Sequence, residues 1–225
     1  MLYYLYEMQR LWAAPVQLMA EGVKVAINNP FNPWNHTPAG RIAGSAVELV
    51  GHFTQRYGKP EWNIETTDID GKNVTVDIDV AVSRTYCDLI HFRRDTVRND
   101  PKLLILAPLS GHFATLVRGT VETMLPDHDV YVTDWLDASM VPAADDRFDL
   151  DDYIDYLVDF LHFLGSNTHV LAVCQPSVPA MAATALMAGW RDNCVPASLT
   201  MIGGPIDTRQ SPTQVNKFAK QHSLD

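Results

Sequence analysis

The sequence predicts an α/β fold of the α/β-sandwich class, with a mostly parallel sheet fronted by an antiparallel hairpin. Three observations predict it. Apolar and polar residues alternate from Trp62 to Val80 around an Asp70-Gly71 pair, the pattern of two half-buried strands and a tight turn. After Pro101, short apolar runs alternate with longer segments of helical period. Those runs, LLILA at 103–107 and VLAV at 170–173, are apolar throughout, as strands covered on both faces must be.

Taken in order, residues 1 to about 29 carry a helical pattern, with Tyr3, Tyr4, Met8, Leu11 and Trp12 recurring and Pro15 breaking or kinking it. The segment NNPFNPWNHTPAG, with three prolines and four asparagines, is an irregular connector. Residues 43–57 read as a second helix closed by Gly58 and Pro60. Neither helix offers chemistry, and His36 and His52 stand apart from any other ligand type. The hairpin follows over residues 62–80, with a third strand over residues 86–93. Strand 103–107 leads through PLSGHFATL into a helix over 115–125, then strand 129–134. A helix over 148–164 has one apolar face (Ile154, Leu157, Val158, Leu161, Leu164), an acidic first turn and a stop at Gly165. Strand 170–173 precedes an alanine-rich helix running to about Met187, and 197–202 is a last strand. Residues 208–225 are polar, without a clear period.

Composition narrows the function. Seventeen basic against 27 acidic residues give a formal net charge of −10, which disfavours nucleic acid and anionic membranes as partners. Cys87, Cys174 and Cys194 form an odd, sparse set that suits a reducing cytoplasm better than a disulfide framework. No CxxC or HExxH occurs, so a metal site has no support in the sequence. The apolar start MLYYLYEMQR lacks a basic leader. Residues 164–190 carry no acidic or basic side chain, but Asn167, His169, Gln175, Pro176 and Pro179 argue against a transmembrane segment there.

Chemistry concentrates in HVLAVCQPSVPA at 169–180, a strand, a tight turn and a helix opening with Cys174 at the corner. A thiol there projects beyond the sheet, where a nucleophile is needed. The backbone N–H of Gln175 points into the same space, and the helix start behind it favours negative charge. A second oxyanion donor is expected from the loop after strand 103–107, at Ser110 or Gly111, with His112 lining the site. The glycines of the usual G-x-S-x-G elbow are replaced by Ala172 and Pro176. After Cys174 the chain offers Asp207 as an acid and His222 as a base, a pair too close in sequence to bracket further strands. Two more strands bearing acid and histidine are therefore expected beyond Asp225.

The segments MLYYLYEMQR, PLSGHFATLVRGTVE, VYVTDWLDA, VCQPSVPA and GGPIDTR together resemble the intracellular polyhydroxyalkanoate (poly-3-hydroxybutyrate) depolymerases. The resemblance implies an N-terminal portion of such a protein. Residues 1–60 would be a helical segment and 61–225 part of an α/β-hydrolase domain whose C-terminal part is absent. It further implies that Cys174 attacks backbone esters of the polymer through an acyl-enzyme, without a cofactor, on a cytoplasmic polyhydroxyalkanoate granule or oligomer. This portion alone is expected not to turn over. Two alternatives stand beside it. One is a synthase-like acyltransferase. The other is a noncatalytic granule-binding protein that presents Trp12, Trp34 and Trp62 to the polymer, with Cys174 structural.

Overall fold

The computed structural model describes residues 58–109, 113–142 and 148–221, with a few positions between Thr37 and Leu49. The helical pattern of residues 1–29 and most of the connector after it lie outside the described residues. Of the helix expected over 43–57, residues 44–47 and 49 are described and helical. The chain divides into two units, Met1–Lys59 and Pro60–Asp225, and the second holds a seven-stranded sheet.

Strands β1 (Thr66–Ile69) and β2 (Lys72–Ser83) form the hairpin. Its turn residues, Asp70 and Gly71, both have positive φ (54° and 78°), and the Gly71 N–H donates to Asp68 Oδ1 at 2.9 Å. Asp and Gly tolerate that left-handed backbone, which is why the pair marks the turn in the sequence. Strand β3 (Cys87–Arg94) runs antiparallel to β2 and to β5. Strands β4 (Lys102–Leu106), β5 (Asp129–Trp135), β6 (His169–Val173) and β7 (Ser198–Ile202) are parallel to one another. The order across the sheet is β1-β2-β3-β5-β4-β6-β7. This is a mixed sheet, parallel from β5 to β7 and fronted by an antiparallel hairpin.

The helices divide between its faces because the central strands alternate their side chains. Leu103 and Ile105 of β4 join Val130 and Val132 in a core closed by Ala114, Val117 and Val121, from a 3-10 turn (Ala114–Val117) and helix α1 (Arg118–Met124). Leu104 and Leu106 face the other core, with Leu157, Leu161 and Leu164 of α2 (Leu150–Leu164) and Ala180, Ala183 and Met187 of α3 (Ser177–Gly189). Helix α2 starts at a capping box. Asp149 Oδ1 accepts from the Asp151 and Asp152 N–H groups, and Asp152 Oδ2 accepts from the Asp149 N–H at 2.7 Å. Gly165 closes it with a φ of 83° that a side chain would resist.

Two sequence expectations need correction. Trp62 and Ile64 do not belong to a strand, although both are buried. Their alternation comes from an extended segment laid on the core, where the Trp62 ring stands edge-on to Phe92 with centroids 4.9 Å apart. The second is the stretch 208–225, which contains a helix, α4 (Gln214–Gln221). Its start is fixed by Thr213 and Asn216: the Asn216 N–H donates to Thr213 Oγ1, and Asn216 Oδ1 accepts from the Thr213 N–H at 3.0 Å. Val215 and Phe218 share one face of α4 and are exposed, so packing within the described residues left no long apolar period to read.

Candidate nucleophile elbow

The order of the parallel strands fixes where a site can form. The connection from β4 crosses one face to β5, whereas the connection from β6 crosses the other face to β7. The two connections therefore leave adjacent strands toward opposite faces, which makes their carboxyl ends the topological switch point, the crevice position where open α/β sheets bind ligands. The loop after β6 opens on Cys174 and the loop after β4 runs through Leu109. One hydrogen bond spans the crevice. The Leu109 N–H donates to Gln175 Oε1 at 3.2 Å.

At the corner, burial falls away over two residues, through half-buried Val173. Val170, Leu171 and Ala172 are buried, whereas Cys174 is exposed and carries a free thiol. Its φ is 67°. For a residue that is not glycine, asparagine or aspartate, such left-handed backbone costs about 1–3 kcal/mol and persists only where the surroundings impose it. They do so through two bonds. The Cys174 N–H donates to the Ile202 carbonyl of β7 at 2.7 Å, and the Cys174 carbonyl accepts from the Ser177 N–H at 3.2 Å.

The prolines fit the turn. Pro176 caps α3 with a φ of −59°, and Pro179 lies in the first turn, where its missing N–H has no intrahelical partner to lose. The other cysteines differ in kind. Cys87 is fully buried in the core shared with α2, and Cys194 is half-buried against it.

The remaining sequence candidates fall in three places. Ser110, Gly111 and His112, and likewise His222, lie outside the described residues. Asp207 lies five residues beyond β7 and is engaged by Arg209, whose Nε donates to Oδ1 at 2.8 Å and Nη2 to Oδ2 at 3.0 Å. That hydrogen bonding holds the Asp207 carboxyl below its ordinary range. Of the aromatic residues suggested as polymer contacts, Trp62 is only 7% exposed, which removes it from any presented surface. Trp12 and Trp34 lie outside the described residues.

The described histidines all sit at the opposite edge of the sheet. His91 pairs with Asp129 at the start of β5 (2.7 Å), and His128 precedes that strand. His169 begins β6, and His162 is in the last turn of α2, paired with Asp192 at 2.6 Å. Among the described residues, then, no histidine is placed at the Cys174 corner.

Sequence reasoning missed an aromatic group at the carboxyl edge. Trp135, the last residue of β5, stands edge-on to Tyr153 and to Phe148, and Phe148 in turn packs on Tyr86 and Tyr156. The Trp135 Nε1–H donates to the Ala107 carbonyl at 3.1 Å, stitching the ends of β4 and β5 together. The signal was present as W135, F148, Y153 and Y156, but only the β5–α2 connection brings them together.

No protein-family model matches the sequence, and no curated protein matches it. Solved structures do resemble it. A putative esterase from Staphylococcus aureus is 10% identical, with a TM-score of 0.45 over 87% of this chain and 64% of that one. An alpha/beta hydrolase enzyme from the metagenome of Lake Arreo, Spain, is 14% identical, with a TM-score of 0.43 over 92% and 64%. Naproxen esterase (carboxylesterase NP) from Bacillus subtilis is 12% identical, with a TM-score of 0.41 over 56% and 42%. The chain thus spans 42% to 64% of the length of these three solved chains.

Proposed function

We propose that this chain carries the nucleophile of a thiol-dependent carboxylic ester hydrolase, with Cys174 as the attacking group. The observation that carries this reading is the exposed Cys174 at φ 67°, at the switch-point crevice and in front of the first turn of α3. A thiolate at that corner attacks an ester carbonyl carbon. The carbonyl π electrons move to oxygen, which the backbone N–H of Gln175 and a donor from residues 110–111 receive. Collapse expels the alkoxide, which takes a proton from the base that deprotonated the thiol. The product is a thioester on Cys174, and water then releases the acid and restores the thiol. Candidate bases within this chain are His112 and His222, both outside the described residues.

The substrate proposed is polyhydroxyalkanoate, with poly-3-hydroxybutyrate as the type case. Support for it comes from the sequence resemblance. The burial of Trp62 and the strained, exposed Cys174 favour a hydrolase over a noncatalytic granule binder.

The test uses the full-length protein and amorphous poly-3-hydroxybutyrate granules. Cys174→Ala is expected to abolish release of hydroxyacid while granule co-sedimentation persists. Undiminished release would refute the reading. Polymer growth from a hydroxyacyl-CoA donor, in place of polymer loss, would reassign the same nucleophile to an acyltransferase.

A further inference from the structure

We propose that Gly204 is a positioning residue for the Cys174 elbow, a role that rests on reading Cys174 as the nucleophile. A methyl group built at Gly204 would fall 2.2 Å from both Cβ and Oγ of Ser177, and 3.1 Å from the Cys174 carbonyl oxygen. Positions 58, 71, 119, 165, 189 and 203 have open space in the same direction. Ser177 cannot swing aside easily. It is the first residue of α3, it is fully buried, and it sits between Pro176 and Pro179, whose rings fix the backbone on either side. Among the described residues its Oγ has no hydrogen-bond partner, so packing holds the side chain.

The residues just before Gly204 grip the other end of the corner, since the Ile202 carbonyl receives the Cys174 N–H at 2.7 Å. Residues 202–204 therefore clamp the elbow at two points. A side chain at 204 must push the β7 loop away from α3. The Cys174 N–H then loses its acceptor, and the backbone is free to leave the left-handed region. Gly204 itself does not have positive φ, so alanine is compatible with its backbone and the effect is steric.

The experiment compares Gly204→Ala, Ser177→Gly and the double variant in the full-length protein. It measures iodoacetamide alkylation of Cys174 by peptide-resolved mass spectrometry, with far-UV circular dichroism to confirm folding. Gly204→Ala is expected to slow Cys174 alkylation and ester turnover by about ten-fold or more. Ser177→Gly removes both clashing atoms and is expected to restore most of the alkylation rate in the Gly204→Ala background. Ser177→Ala keeps Cβ and is expected to restore little. Unchanged alkylation in folded Gly204→Ala would overturn the proposal, as would a folded double variant whose rate is not restored. If Gly204→Ala alone does not fold, the double variant decides. Ester turnover that survives Cys174→Ala would sink the nucleophile reading, while the labelling rates would still judge the clamp.

Discussion

The two edges of the parallel sheet are built to different ends. At the amino edge, charged and titratable groups are paired off. His91 meets Asp129 at 2.7 Å and stacks on Tyr131 at 4.2 Å, and His162 meets Asp192 at 2.6 Å. Arg94 is buried against Asp100 at 2.9 Å and donates to the Leu125 carbonyl. Lys102 donates to the carbonyl that ends α2. At the carboxyl edge, by contrast, a non-glycine residue is held in left-handed backbone with its thiol exposed, beside a crevice spanned by a side-chain amide. Satisfied groups stabilise, whereas strain and exposure cost stability and persist where geometry is needed for chemistry. The same strands thus carry a paired edge and a strained, exposed one.

The sharpest way to break this contrast is at Cys174. Replacing it with Ser keeps the size and the turn but substitutes a much weaker nucleophile, and ester turnover is expected to fall by about 10³-fold or more with melting temperature nearly unchanged. A smaller effect is expected at Gln175. Gln175→Leu keeps the backbone N–H but removes the acceptor for Leu109, so kcat should fall by about ten-fold with KM little altered. An equal loss from Gln175→Leu and from an amino-edge variant would dissolve the distinction between the edges.

Changes away from the elbow should move stability and leave Cys174 alkylation alone. Asp149→Ala removes the α2 capping box and should cost about 1 kcal/mol in urea denaturation. The smallest effect is at Asp129. Burial raises its carboxyl pKa, but the hydrogen bond and charge of His91, with contributions from Tyr131 and Arg94, outweigh burial and leave it below the ordinary 3.8. A carboxyl with a depressed folded-state pKa contributes stability above its unfolded value, and loses it as pH falls through the folded one. Asp129→Asn should therefore cost about 1 kcal/mol or less at neutral pH and flatten the stability loss below about pH 4.

Much of this was legible in the sequence where local patterns decide it. Asp70-Gly71 marked the turn, the unbroken apolar runs marked the doubly covered strands, and an acidic first turn with Gly165 marked α2. The corner at Cys174 was legible because strand, turn and helix opening are contiguous. Features that depend on residues distant in sequence were not. The Gly204–Ser177 contact joins positions 27 residues apart, and the Trp135–Phe148–Tyr153 group forms only once α2 folds back. Trp62 misled because an extended segment and a strand bury alternate side chains alike. Helix α4 was hidden because its cue, Thr213 with Asn216, is a hydrogen-bonding signal within a polar stretch.

The central claim is that Cys174 forms a covalent acyl intermediate. The most direct test mixes the full-length protein with an activated 3-hydroxybutyrate ester, quenches in acid and maps the adduct by peptide mass spectrometry. A hydroxylamine-labile acyl group on the peptide containing Cys174, absent from Cys174→Ala, is the predicted result. Ester turnover with no adduct on that peptide, or with the acyl group on another residue, would contradict it.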